Sequence, residues 1–199
     1  GGSEKRKKYG AKLTLPSGKT YLGEESETAN PPTAPQRFTA AADVKWVEYE
    51  GVIFDYIFSY PETLVINVFP NDKTDAVAVV WGNIPPRRNI LLNVENIPAR
   101  NPQYVGNVET FARNWWQFFS GLTGLKSIEK FVNTSGLTGY RAVYINTAGQ
   151  SPNVDIFFEI PEDPNRTIHI ANGVLDPTLF DLIVDSLKYE KKPTPTPAQ

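Results

Sequence analysis

Cysteine and methionine are both absent from the 199 residues, and histidine occurs once. Without cysteine there is no disulfide, no zinc–thiolate site and no thiol nucleophile. The same absence fits either an oxidising or a reducing compartment. With His169 alone, any Ser–His–Asp arrangement or histidine-based metal site has one place to be. No apolar run reaches the ~18 residues of a membrane-spanning helix. No signal peptide opens the chain, which begins Gly-Gly-Ser without Met and reads as an expression scar on a trimmed sequence. Positive charge is scarce in the body. The net charge is −2, yet residues 1–10 carry +3 and residues 191–199 carry +2, leaving −7 on residues 11–190. An acidic body with basic ends lacks the contiguous basic face that nucleic acid needs, so none is expected as a partner.

With 40% hydrophobic and 12% aromatic residues, the chain is globular. Residues 1–37 read as a flexible arm holding a small hairpin about Pro16-Ser17-Gly18 and a Pro-rich linker. Residues 38–190 form the folded domain, and 191–199 a Pro/Thr-rich spacer. Lys5-Arg6-Lys7-Lys8 reads first as a solvated terminus. Its second reading is a patch beside anionic lipid, which implies a membrane tether upstream. Gly18-Lys19-Thr20 resembles the end of a P-loop, but the motif needs a glycine where Leu13 stands, and it is rejected.

The densest aromatic stretch is Asn107–Leu122. Val108, Phe111, Trp115, Phe118, Phe119 and Leu122 share one stripe at helical spacing, with Asn107 as N-cap and Gly121 and Gly124 as stop signals. The spacing predicts one amphipathic helix over the whole stretch, with Trp116 off the stripe. Strands are expected at 45–49, 52–60, 64–69, 76–81, 89–97, 128–132, 140–145, 154–160 and 167–174. A closing helix is expected over 177–188, with Asp176 as cap and Pro177 at its first position. Strands apolar on both parities call for cover on both faces. The expected class is α+β: a mostly antiparallel sheet of about six to eight strands flanked by two main helices.

Phe54, Phe58 and the run Ser59-Tyr60-Pro61, together with the late Ser186-Leu187-Lys188-Tyr189, resemble paired signatures of the PsbP/Mog1-like family. The order of elements over residues 44–190 is similar too. The resemblance implies a sandwich that serves as a non-enzymatic binding or assembly module. Such modules include extrinsic subunits on the lumenal face of photosystem II, a nuclear GTPase-binding protein and bacterial extracytoplasmic proteins. It brings no catalytic residues and no cofactor, and it implies a protein partner for a secreted or membrane-anchored, extracytoplasmic protein.

Two sets of residues are candidates for a site. Pairing strand 154–160 with 167–174, so that their isoleucines share a face, sets Glu159 opposite His169 with Asp155 further along the same face. An acid–base pair or half a metal site is one reading. A cross-strand polar pair on a partly exposed face outweighs it, because these groups fall short of a structural zinc ligand set and no G-x-S-x-G nucleophile is present. Trp116, Trp81, Tyr140 and Tyr144 are the second set, a platform for a protein or, alternatively, a carbohydrate. With Asp155, Glu159 and His169 this platform would make a carbohydrate-binding or hydrolytic envelope protein. Asn133 and Asn165 head glycosylation sequons that read as chance.

Overall fold

The computed structural model describes the backbone of Leu13–Thr14 and Thr20–Tyr21 and all of residues 36–193. Most of the N-terminal arm, and the tail from residue 194, lie outside the described residues. Strands β1 (Leu13–Thr14) and β2 (Thr20–Tyr21) pair antiparallel, Leu13 opposite Tyr21.

The body has two sheets. Strands β3 (Trp46–Glu50), β4 (Tyr56–Pro61) and β12 (Lys188–Tyr189) form the smaller one, in the order β12-β4-β3. The larger contains β5 (Ile66–Val68), β6 (Val77–Val79), β7 (Ile90–Asn96) and β8 (Leu122–Val132). Strands β9 (Thr138–Asn146), β10 (Gly149–Ile160) and β11 (Asp163–Ala171) complete it. The order is β5-β6-β7-β11-β10-β9-β8, and every pairing is antiparallel. This is the expected α+β class.

Period-two alternation along β10 and β11 sorts their side chains between two cores. Ile156, Phe158, Ile168 and Ile170 face helix α3 (Pro177–Ser186) and the small sheet, where they meet Tyr56, Phe58, Leu179, Phe180 and Ile183. Phe157 faces the other way, with Tyr140, Ala142 and Tyr144 of β9. That face is covered by Ile97 of the one-turn helix α1 (Ile97–Arg100) and by helix α2 (Val108–Asn114). One main helix therefore lies on each face. Helix α3 starts as its sequence requires: Asp176 accepts from the N–H groups of Thr178 and Leu179, and Pro177 fills the first turn.

Helix α3 stops at Ser186 and leaves Lys188–Tyr189 to a strand, β8 starts at Leu122 where 128 was expected, and two further stretches differ outright. Segment 52–54, expected within a strand, is a bend held by Asp75, whose carboxylate accepts the N–H groups of Val52, Ile53 and Phe54. The aromatic stretch is not one helix. Asn107 caps it as expected, accepting from Thr110, but the α-helix stops at Asn114. There the carbonyl of Ala112 accepts the N–H of Trp115 and the hydroxyl of Tyr144. A carbonyl taken by the residue three positions on tightens the chain into 3-10 geometry over Trp115–Phe118. Phe119 is extended, Gly121 takes φ +95°, and Leu122 opens β8. We refer to Trp115–Phe119 as the aromatic turn.

Candidate functional site

His169 lies towards the end of β11, on the face that helix α2 and the aromatic turn cover. Its cross-strand neighbours are Phe157 in β10 and Asn93 in β7. The expected pairing with Glu159 is two residues out of register: Glu159 opposes Thr167. The offset places Phe157 flat against the imidazole, with ring centroids 4.3 Å apart and planes at 13°, and the face is buried at Asp155 and His169 where a partly exposed one was expected. Trp115 meets the imidazole edge-on at 4.7 Å.

The imidazole is held from both ends. Nε2 lies 2.7 Å from Oδ1 of Asp155, and Nδ1 lies 3.0 Å from Oε2 of Glu95. All three residues are buried. Two ring nitrogens facing two carboxylates are both satisfied only when both carry hydrogen, which is the imidazolium. Burial works against that charge, but the hydrogen bonds to Asp155 and Glu95, with their negative charge, outweigh it and raise the His169 pKa to about 9. Glu95 responds in the opposite direction. Burial would raise its pKa, yet the hydrogen bond and charge of His169, then the charge of Arg100, bring it below the ordinary value. The buried indole N–H of Trp115 contributes least to that shift and makes no full hydrogen bond of its own.

Glu159 does not join this group. Its carboxylate accepts from the Tyr140 hydroxyl at 2.8 Å and lines a cavity of about 250 Å³ with Gly106, Val108 and Asp163. Burial, then this carboxylate, pushes the Tyr140 phenol up to about 12. Asp155, Glu159 and His169 therefore do not converge on one pocket. Both nitrogens of His169 are engaged, so it offers no lone pair to a proton, a metal or an acyl group. Among the described residues no group of three or more His, Cys, Asp and Glu side chains is arranged to hold a metal ion.

The aromatic platform also comes apart. Tyr144 is fully buried, with its hydroxyl on the Ala112 carbonyl, and Tyr140 is buried over Glu159, so neither presents a ring to a partner. Trp81 packs edge-on against Phe38 beside the opposite core. Trp116 is half-buried in the aromatic turn. Around it, Phe119 is 38% exposed, and the guanidinium of Arg100 lies over the rings of Phe118 and Phe119 at 5.4 and 5.5 Å. A second apolar surface lies at the 52–54 bend, where Val52 and Ile53 flank a cavity of about 270 Å³ with Tyr49, Val68 and Phe69.

Glu95 and Trp115 were not read from sequence as site residues. Glu95 carried one signal, a carboxylate alternating with Leu92 and Val94 in an expected strand. Trp115 was correctly assigned to the core, but nothing in its spacing showed that it packs on a charged ring.

The sequence matches no family model and no curated protein. The structure is similar to the solution structure of cyanobacterial PsbP (CyanoP) from Synechocystis sp. PCC 6803. The match has a TM-score of 0.50 and 12% identity, and covers 83% of this chain and 99% of that one. The fold is PsbP-like. At that identity the likeness speaks for architecture alone, so the roles of residues in this PsbP-like domain rest on its own geometry.

Proposed function

We propose that this PsbP-like domain is a non-catalytic, extracytoplasmic binding and assembly module that captures a protein partner. The observation that carries the reading is the aromatic turn with Arg100. Trp116, Phe118 and Phe119 are held on a buried base, and a guanidinium is stacked across two of the rings. Trp and Arg in such company are the residue types that dominate binding energy at protein interfaces. The single histidine and its carboxylates are spent on one another beneath this surface, which favours binding over chemistry. The hydrolytic alternative needs Asp155, Glu159 and His169 to share a cavity, and their geometry speaks against it.

The test compares Trp116→Ala with Ile53→Asp at the other apolar surface. The expected result is that Trp116→Ala lowers partner capture at least about tenfold while the near-UV spectrum shows an intact fold. Loss of capture with Ile53→Asp alone would move the binding face to the 52–54 bend. Turnover of cell-wall fragments by the unmodified protein would overturn the non-catalytic reading.

A further inference from the structure

The aromatic turn and the His169 cluster are in direct contact, so the charge of one bears on the position of the other. Trp115 is the link. Its ring lies 4.7 Å from the imidazole, 5.8 Å from Phe157 and 4.0 Å from Phe119 at the surface. Phe157 stacks flat on the imidazole and Trp115 meets it edge-on, so both rings pack directly on the group whose charge changes. The same charge is shared between two buried carboxylates on different strands, Glu95 on β7 and Asp155 on β10. A neutral imidazole has one N–H, so its other nitrogen would face a carboxylate with no proton between them.

We propose that the His169 imidazolium is a latch that seats the aromatic turn on the sheet, and that loss of its proton releases the turn. The two groups bonded to the imidazole agree in sign. Glu95 faces the imidazole from β7 and Asp155 from β10, both favouring the cation. Tyr144 of β9 stands near both carboxylates, and burial, then their charge, keeps its phenol protonated. Arg100 of helix α1 acts on Glu95 and also touches the turn through Phe118 and Phe119. Trp115, the turn's own residue over the ring, is not ionisable. A buried histidine commonly opens a structure in acid. Here the sense is reversed: acid and neutral solution keep the turn seated, and alkali frees it.

The chain's one histidine makes the test direct, because its imidazole NMR signal needs no assignment among others. The imidazole signal and the Trp115 indole signal, identified with a Trp115→Phe variant, are followed together from pH 6 to pH 11. Amide protection of residues 115–119 and of β9–β10 is read in parallel. The latch predicts that imidazole and indole signals move at one alkaline midpoint, with protection lost at 115–119 and retained in β9–β10. Glu95→Gln, which keeps a hydrogen-bond acceptor, and Asp155→Asn should each lower that midpoint by about one pH unit or more. A midpoint near 6.5, a turn indifferent to the imidazole, or a midpoint unmoved by both variants would overturn the latch. Its consequence for partner capture rests on the function proposed above. Release of the turn with capture unchanged would contradict that function and leave the latch standing.

Discussion

Removing the proton from His169 leaves two buried carboxylates with one donor between them, so the folded state holds that proton more tightly than the unfolded chain does. The pKa rises from 6.5 to about 9 on folding. A raised folded value means the stabilisation is complete below pH 6.5 and is lost as pH climbs through 9. Glu95 has the opposite sign. Its value falls below 4.5, so its contribution is present above 4.5 and fades in stronger acid. Urea midpoints should therefore drop between neutrality and pH 10, by on the order of 3 kcal/mol from His169. The His169→Gln variant should be less stable at neutral pH by about 3 kcal/mol or more, and its alkaline decline should be shallower. Asp75 gives a second prediction at this scale. Its carboxylate accepts three consecutive backbone N–H groups, and its own carbonyl accepts the Tyr56 hydroxyl. Asp75→Ala should cost about 2–3 kcal/mol and speed amide exchange at residues 52–54, read by hydrogen-exchange mass spectrometry.

Between elements, Asn133 ties the β8–β9 connection to the end of helix α3. Its amide donates to the carbonyls of Val184 and Leu187, and its oxygen accepts the N–H groups of Ser135 and Leu137. That buried amide nitrogen is committed, so the sequon at Asn133 is closed to a glycan. Asn133→Ala should lower stability by about 2–4 kcal/mol in thermal melts, because the carbonyls of Val184 in the last turn of the helix and of Leu187 just beyond it lose their donor. Nothing in the spacing of residues 133–137 announced this role, since the partners lie about fifty residues away. Local signals fared better: Asn107 and Asp176 are the caps their positions indicated, and both elements begin where expected. What failed was continuity. The helical stripe runs on past Asn114 in the sequence, but Tyr144, a residue of the facing strand, reaches the Ala112 carbonyl and helps to end the α-helix there. Register failed for a related reason. Either alignment of β10 and β11 keeps the isoleucines on one face, and the Phe157–His169 stack belongs to the one adopted.

At the scale of the whole molecule, the large sheet separates two cores with different work. One, beneath helix α3 and the small sheet, is apolar. The other carries the charged His169 group under the aromatic turn, and the surface proposed for a partner lies on top of it. The α+β class was legible from alternation and element order, and the PsbP-like architecture through the resemblance carried by residues 54–61 and 186–189. The placement of one helix on each face was one of two arrangements the sequence left open. The charged cluster was legible only in part, because Glu95 comes from a strand 74 residues distant from His169. The most direct measurement of the central claim is site-specific photo-cross-linking from position 117, where exposed Gln117 sits between Trp116 and Phe118. With the same probe at Ile53 for comparison, cross-linking in the native cell should give one discrete protein adduct from position 117 and none from position 53. An adduct from position 53 alone, or none from either position, would contradict the assignment of the aromatic turn as the binding face.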